Sequence, residues 1–329
     1  MTLLLTNKRW LFVGGAGYIG SHVLREFLNE GATCVVLDNL VTGKLERLPN
    51  SVVFVKGDAT DQATISRVCV EFEITGIVHL AAYMQARESM INPIKYWSNN
   101  LGTSLALARV LENSNIKQII FSSSCSVYGN AQNVTEESVL NPISPYAMTK
   151  VASEQVLSQS ATTNQVQLII LRYFNVIGCG GFSKSFDHGD QTILPSTARK
   201  ILAGQPPIIF GGDLPTPDGT ALRDYLDVRD LARAHLVAAC SQNREDVVTM
   251  NVTSGQAVSV KNIIDLLLEI SGSNELPLFT PANEADPNEV WAKESPGLKT
   301  LGWEPRYSLH ESIQSFWEAF RKSEQHTAN

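Results

Sequence analysis

Tyr146 and Lys150 stand four residues apart in Pro145-Tyr146-Ala147-Met148-Thr149-Lys150. Ser144 and Pro145 read as the N-cap and first residue of a helix, which puts Tyr146 in the first turn. The i, i+4 spacing then sets both side chains on one face. A nearby ammonium stabilises a phenolate, and the helix N-terminus adds positive potential in the same direction. The pair therefore predicts a tyrosine of lowered pKa, able to take a proton from a hydroxyl near neutral pH. The same spacing also arises by chance on exposed helices. The run Phe121-Ser122-Ser123-Ser124-Cys125-Ser126-Val127-Tyr128-Gly129 narrows the choice. It follows apolar Ile119 to Phe121, so its hydroxyls fall at the C-terminal end of a strand, where open parallel sheets bind ligands.

A second constellation lies near the N-terminus. Gly14-Gly15-Ala16-Gly17-Tyr18-Ile19-Gly20 separates a short apolar run from a helical pattern, and parses as GxxGxxG or as GxGxxG. Glycines permit the tight turn and a close backbone approach to a pyrophosphate, whose charge the unpaired N–H groups of the following helix can meet. Alone, this pattern is also compatible with an ordinary strand-to-helix turn. Asp38 ends the next strand at about the ~20-residue offset of a ribose-binding acid. A carboxylate there accepts from both ribose hydroxyls and repels a 2′-phosphate, which favours NAD over NADP. Asp58, in Lys56-Gly57-Asp58-Ala59, is either a turn aspartate or a partner for the adenine amino group.

These residues need elements that bring them to one place. Strand signals occur at Trp10 to Val13, Thr33 to Leu37, Val52 to Lys56, Gly76 to Leu80, Lys117 to Ser122, Val166 to Leu171 and Val247 to Val252. Helical patterns such as Ser21 to Asn29, Asp61 to Glu71 and Thr103 to Asn113 alternate with them. Strand–helix alternation implies an α/β fold, a doubly wound parallel sheet of Rossmann type covered on both faces. After Phe174 the character changes, and residues 178 to 220 are rich in Gly, Pro and Asp. The expected organisation is an NAD-binding domain over 1–177 plus about 226–255. A smaller, loop-rich substrate lobe takes about 178–225 plus 256–329. Ser323 to Asn329 read as a frayed polar tail.

Composition sets the outer limits. The net charge of -7, from 26 basic and 33 acidic residues in a chain of 329, comes without a basic stripe, which argues against a nucleic-acid partner. The five cysteines (Cys34, Cys69, Cys125, Cys179 and Cys240) form no CxxC pair, which argues against a disulfide framework or a bound metal and suits a reducing, cytoplasmic compartment. The first apolar run is too short for a signal peptide, and no stretch approaches the ~20 apolar residues of a membrane span.

Nearly the whole chain resembles the extended short-chain dehydrogenase/reductase family, in particular its NAD-dependent epimerase/dehydratase branch and the UDP-glucose 4-epimerase subgroup. The resemblance rests on the glycine turn with Ser21, Asp38-Asn39-Leu40, Gly57-Asp58, His79-Leu80-Ala81-Ala82, Asn99-Asn100, the serine run, and Pro145 to Lys150. It continues through Leu171 to Asn175, Thr216-Pro217-Asp218-Gly219-Thr220, Arg223-Asp224-Tyr225 and Asp227-Val228. It implies that Gly14, Gly17, Tyr18, Ile19, Gly20, Asp38, Asn39, Leu40, Asp58, Ala59, Leu80, Ala81, Ala82, Asn99, Ser122 and Phe174 line a tightly held NAD. Tyr146 would take the proton of a sugar 4-hydroxyl, with Ser124 sharing that hydrogen bond. Lys150 would hold the nicotinamide ribose and tune Tyr146. Hydride would leave for NAD and return to the other face of a 4-keto sugar. Asn175 and Arg223 would bind the nucleotide diphosphate, Arg223 by a charge-assisted contact. A homodimer would form through the helices near Asn100 to Asn113 and Tyr146 to Gln159, two from each subunit.

The departures concern the substrate side. The family's Arg-Arg-x-Gly-Asp stands here as Ala282-Asn283-Glu284-Ala285-Asp286, so Asn283 replaces an arginine that grips the pyrophosphate. Thr192 falls where an asparagine contacts substrate, Met84 where a lysine often reaches the cofactor, and the loop after Asn175 reads Gly178-Cys179-Gly180-Gly181. Lys184, His188 or Arg87 would have to compensate for the lost charge. Val290 occupies a position that limits sugar size, and a valine there suggests room for an N-acetylated sugar. Three readings compete with a 4-epimerase. One is a relative acting on a uronic-acid, deoxysugar or non-UDP substrate. Another is a net dehydrogenase or reductase, which would turn NAD over. The third is a non-catalytic binder, against which Tyr146 and Lys150 speak. Dehydration is disfavoured because no Asp-Glu pair follows the serine run.

Overall fold

Four consecutive buried apolar residues, Trp10 to Val13, follow Arg9 in the first strand, β1 (Arg9–Val13), and the remaining strands of the main sheet are likewise mostly apolar. They are β2 (Thr33–Asp38), β3 (Val53–Lys56), β4 (Gly76–His79), β5 (Gln118–Ser122) and β6 (Gln167–Tyr173). Short strands β7 (Asn175–Ile177), β8 (Ile208–Phe210), β9 (Leu222–Arg223) and β10 (Tyr225–Asp227) follow, before β11 (Val247–Val252) returns to the sheet. The computed structural model describes residues 5–6, 8–181, 186, 192–241, 246–282 and 287–327. The seven strands lie in the order β11-β6-β5-β4-β1-β2-β3, and every pairing is parallel. Val13 pairs with Leu37 and His79, and Ser122 with Leu171. This register lines up the strand ends, so Gly14, Asp38, Leu80 and the serine run emerge along one edge.

Successive strand residues point to opposite faces, and each face is covered. On one side, Val23, Leu24 and Phe27 of α1 (Tyr18–Asn29) and Leu231, Ala234 and Ala238 of α8 (Val228–Ala239) pack on Trp10, Phe12, Val36 and Ile120. On the other, α2 (Gln62–Glu71), α5 (Gly102–Leu111) and α6 (Pro145–Asn164) bring Val68, Leu107, Val110 and Leu157 against Leu11, Val13, Ile77 and Ile119. Between β4 and α5 the chain forms two short helices, α3 (Ala86–Ile91) and α4 (Pro93–Tyr96), and a π-helical turn over Trp97–Leu101.

The rest of the chain builds on the sheet's C-terminal edge. β7 pairs with β10, β8 with β13 (Leu278–Thr280), and β9 lies between β12 (Val258–Ser259) and β14 (Glu289–Val290). Helices α7 (Ile193–Leu202), α9 (Val260–Ser271) and α11 (Leu309–Thr327) enclose a separate core that includes Leu194, Ile263, Leu267, Phe316 and Phe320. Leu298, in α10 (Pro296–Thr300), and Trp303 pack instead with the core of the main sheet. The expected frayed tail is corrected in part, because α11 continues through Thr327. Its polar last turns extend a helix whose apolar face is already fixed by Ile313, Phe316 and Phe320. No helix among the described residues is long and apolar enough to cross a membrane. All five cysteines are free, and the described residues contain no cluster of side chains suited to a metal.

Two buried carboxylates tie these parts together. Glu154 of α6 receives a bidentate pair from Arg172 of β6, at 2.6 and 2.9 Å, and also the Ser123 hydroxyl at 2.5 Å. Arg172 donates further to the Tyr128 hydroxyl at 3.1 Å, which in turn donates to Asn251 Oδ1 at 2.7 Å. Both ion-pair side chains are less than a tenth exposed. Removing one partner strands the other charge, so Glu154→Leu should destabilise the fold by about 3–5 kcal/mol, read as a lower urea midpoint.

The second carboxylate is Asp224, between β9 and β10. It accepts from the Ser254 and Gly255 amides at 2.9 and 3.1 Å and from the Thr253 hydroxyl. Burial outweighs these bonds and pushes its pKa up from 3.8 to about 6. Between those two values the folded state binds more protons than the unfolded one, so stability falls as pH rises through that window and levels off above it. Asp224→Asn should lower stability overall and remove this fall, which denaturant titrations at several pH values between 4 and 7 will show.

Candidate active site

The glycine turn leaves a helix end open. Gly14 has a φ of +85°, and a Cβ there would lie 2.6 Å from the Ala81 amide nitrogen. A Cβ on Gly20 would meet the Gly14 carbonyl oxygen at 2.5 Å. These two glycines let β1, α1 and the β4 end close on one another. Gly17 is the N-cap of α1, and it supplies no side-chain cap. The first turn carries no acidic residue, so nothing there opposes an anion.

Asp38 sits beside this turn at the end of β2. Its Oδ2 accepts from the Ala16 amide at 3.0 Å and its Oδ1 from the Leu40 amide at 2.8 Å. Burial raises its pKa, and these two bonds and Arg47 oppose the rise. Asn39 Oδ1 accepts from the Val41 amide, turning the chain past Leu40, which has a φ of 63°. Leu80 and Ala81 follow β4 with both amides on the Val13 carbonyl, and Ala82 continues that edge. Exposed Asp58 accepts from the Thr60 amide and hydroxyl, both at 2.9 Å, so it closes a turn at the end of β3, and Ala59 is buried behind it. Tyr18 donates its hydroxyl to the Gly178 carbonyl at 2.6 Å, and partly buried Ile19 packs on the main core. The open amide turn, with a positioned carboxylate one strand away, fits an adenine dinucleotide.

The candidate catalytic residues gather at the end of β5. Ser144 caps α6, accepting from the Ala147 amide at 3.3 Å, with Pro145 at the first helical position. Ser124 Oγ accepts from both the amide and the hydroxyl of Ser126, at 3.2 and 3.0 Å. The Ser124 side chain also lies beside the Tyr146 phenol, whose pKa it lowers. Lys150 Nζ donates to the Ser122 carbonyl at 2.7 Å and lies 6.0 Å from the centre of the Tyr146 ring. Burial pushes Lys150 down to about 8, with Glu154 pulling it back up.

The phenol departs from expectation. Burial, the largest cause, and the nearby Tyr173, Cys125 and Tyr96 raise its pKa, and only the Ser124 bond lowers it. An ammonium hydrogen-bonded elsewhere at this range does not offset the desolvation of a phenolate. The sequence reading also missed His235 beneath Ser122. His235 is fully buried, and burial pushes its pKa down to about 4, so the ring is neutral. Its Nδ1–H donates to the Leu231 carbonyl at 2.9 Å, which leaves Nε2 to accept from the Ser122 hydroxyl at 3.2 Å. Burial pushes the nearby Tyr173 phenol up to about 12, against a lowering effect of the Ser122 side chain. A histidine among the apolar residues of α8 was the available signal.

The substrate side is less concentrated. Phe174 and Val290 share a buried cluster with Cys125 and Ala292. Asn175 begins β7, with its amide on the Asp224 carbonyl at 3.1 Å. Thr192 is the N-cap residue of α7. Asn99 donates to Asn100 Oδ1 at 3.0 Å. Arg223 is engaged within the fold, with its guanidinium on the carbonyls of Leu222 (2.8 Å), Asn288 (3.2 Å) and Pro287. Arg87 instead stacks on Phe210, a residue that sequence reasoning did not single out, at 4.2 Å from the ring centre. Met84 is more than half exposed. Lys184, His188 and Asn283 lie outside the described residues.

Comparisons with known proteins agree with this geometry. The model of the NAD dependent epimerase/dehydratase family matches residues 10–252. A UDP-glucose 4-epimerase from Lactobacillus helveticus is 33% identical over 317 residues, covering 94% of this chain and 96% of that protein. Among solved structures, a UDP-glucose 4-epimerase from Stenotrophomonas maltophila, with bound NAD and formylated UDP-arabinopyranose, superposes with a TM-score of 0.91 at 30% identity, over 97% of this chain and all of that one. A UDP-N-acetylglucosamine 4-epimerase from Methanobrevibacter ruminantium, in complex with UDP-N-acetylmuramic acid, gives a TM-score of 0.85 at 27% identity, over 97% of this chain and all of that one. With its sheet order, glycine turn and Ser124–Tyr146–Lys150 set, the chain belongs to the NAD-dependent epimerase/dehydratase family.

Proposed function

We propose that this protein interconverts 4-epimers of a nucleotide sugar, UDP-glucose and UDP-galactose or their N-acetyl counterparts, through a transient 4-keto sugar. The observation that carries this reading is the gathering of Tyr146, Ser124 and a buried Lys150 at the strand edge where the glycine turn opens, with Lys150 Nζ 6.0 Å from the Tyr146 ring centre. Bound NAD would supply a hydride acceptor that returns the hydride to the opposite face of the sugar, and a ring charge to favour the phenolate. Tyr146 would take the 4-hydroxyl proton and give it back, with Ser124 orienting that hydroxyl. Asp38 would hold the adenosine ribose, and the remaining glycine-turn and strand-end residues would line the cofactor. The assigned relatives act on UDP-sugars, and one is a UDP-N-acetylglucosamine 4-epimerase.

The engagement of Arg223 and the presence of Asn283 favour a second reading, a different sugar carrier bound with less charge on its phosphates. Arg87 is the cation we place at that end of the cleft. We also propose the two-lobe division of the chain given above. Exposed Leu105 on α5 and Met148 on α6 support a homodimer through those helices, and five free cysteines support a cytoplasmic setting.

Purified protein incubated with the four UDP-sugars, without added NAD, should show interconversion by NMR. Silence from NAD-loaded protein would turn the assignment to another carrier. Tyr146→Phe should lower kcat by at least about 10²-fold with unchanged NAD content, and near-normal turnover would remove Tyr146 from the reaction. Asn283→Arg should tighten UDP-sugar binding, measured by calorimetry, whereas weaker binding would point to the second reading.

A further inference from the structure

The first turn of α6 has its own hydrogen-bond arithmetic. A helix start leaves several N–H groups without partners inside the helix. Pro145 has none to satisfy, and Ala147 and Met148 turn to the hydroxyl and carbonyl of Ser144. The Tyr146 amide is the one that leaves the helix: it donates to Ser89 Oγ of α3 at 3.2 Å, and Ser89 passes its own proton to the Ala86 carbonyl at 2.6 Å. At the other end of the same residue, the Tyr146 carbonyl accepts from the Thr149 hydroxyl at 2.7 Å. Thr149 Oγ1 in turn accepts from Asn100 Nδ2 at 3.1 Å.

Asn100 has every hydrogen-bonding position of its amide engaged. Its Nδ2 also donates to the Tyr83 carbonyl at 3.0 Å. Its Oδ1 accepts from the Tyr83 amide at 2.9 Å and from Asn99 Nδ2 at 3.0 Å. A buried amide with all its positions filled has one orientation. Ser89 and Thr149 are fully buried, and Asn100 is nearly so. Asn100 lies in the π-helical turn, a widened turn often found at functional sites. Both Tyr83 and Ser89 belong to the segment that runs on from Leu80-Ala81-Ala82, at the cofactor edge.

We infer that Ser89, Asn100 and Thr149 are positioning residues that hold the main chain of Tyr146 at both its amide and its carbonyl, and so fix the phenol relative to the cofactor edge. None of them touches the phenol, so the effect passes through the backbone. The inference deepens the role given to Tyr146 above and rests on it. It is specific about chemistry, since the Thr149 hydroxyl carries the hold and its methyl does not.

Thr149→Val keeps the shape and removes the hydroxyl, whereas Thr149→Ser does the reverse. Thr149→Val should lower kcat about 10- to 100-fold, with KM and NAD content near the wild-type values, and Thr149→Ser should restore most of the rate. The Tyr146 phenol titration, taken by ultraviolet difference against Tyr146→Phe in the NAD-loaded protein, should shift in Thr149→Val and hold in Thr149→Ser. Ser89→Ala should behave like Thr149→Val, and it carries the test if Thr149→Val does not fold. Wild-type kcat and titration in Thr149→Val or Ser89→Ala, or a Thr149→Ser variant as impaired as Thr149→Val, would overturn the inference. A wild-type protein inactive on every UDP-sugar refutes the epimerase reading instead, and the phenol titration then decides the positioning role by itself.

Discussion

A buried ammonium must be held, and here the Ser122 carbonyl holds it. Lys150 reaches that oxygen at 2.7 Å from the second turn of α6, so the helix and the end of β5 are locked at one point. The same residue is held from below, because its hydroxyl donates to the neutral His235. Glu154, one turn beyond Lys150, pairs with Arg172 and also takes the Ser123 hydroxyl. Two consecutive serines therefore fix the strand end from different sides, and Ser124 follows beside the Tyr146 phenol. The positions of the Ser124, Tyr146 and Lys150 side chains depend on this junction. Main-chain bonds at the end of a parallel strand are already ordered by the sheet, which makes them a rigid mount for side chains.

The two helix starts at the site show how one physical problem has been answered in opposite ways. At α1 the N-cap is glycine and no side chain fills the end, which leaves partial positive charge facing the cleft. At α6 the donors of the first turn are all met, by Ser144, by Ser89, and by proline's lack of an N–H. An open end suits a ligand that arrives carrying negative charge. A closed end suits a turn whose backbone is to be held in one place, and Tyr146 stands in that turn. Small residues serve the first purpose, and short hydroxyl side chains the second.

Much of this was legible in the sequence because it is local. The seven strand signals, the glycine turn, the acid ending β2 and the Ser144-Pro145 helix start all follow from short-range pattern, and each stands where the pattern put it. The lowered tyrosine pKa did not follow, because it depends on the balance between burial and charge at a distance, which spacing alone does not report. His235, Glu154, Thr149 and Ser89 were passed over for a similar reason. Their partners lie 18 to 113 residues away, apart from Thr149, whose local bond to Tyr146 means little until Asn100 is seen behind it. Polarity misled at the C-terminus, where a solvent-facing stripe of α11 resembles a loose tail.

The substrate side follows a different economy of charge. Arg223 spends its guanidinium on the carbonyls of Leu222, Pro287 and Asn288, and so straps β14 to β9, bringing Val290 into the cluster with Cys125 and Phe174. An arginine used in this way shapes the pocket wall, and its direct Coulomb contribution to a phosphate is reduced by the carbonyl dipoles that already face it. Arg87 differs, because its guanidinium stacks on the ring of Phe210, 4.2 Å from the ring centre. The stack also joins α3, next to Ser89, to β8 on the other side of the cleft. One short helix thus carries both an arginine held by an aromatic face and the serine that grips the amide of Tyr146.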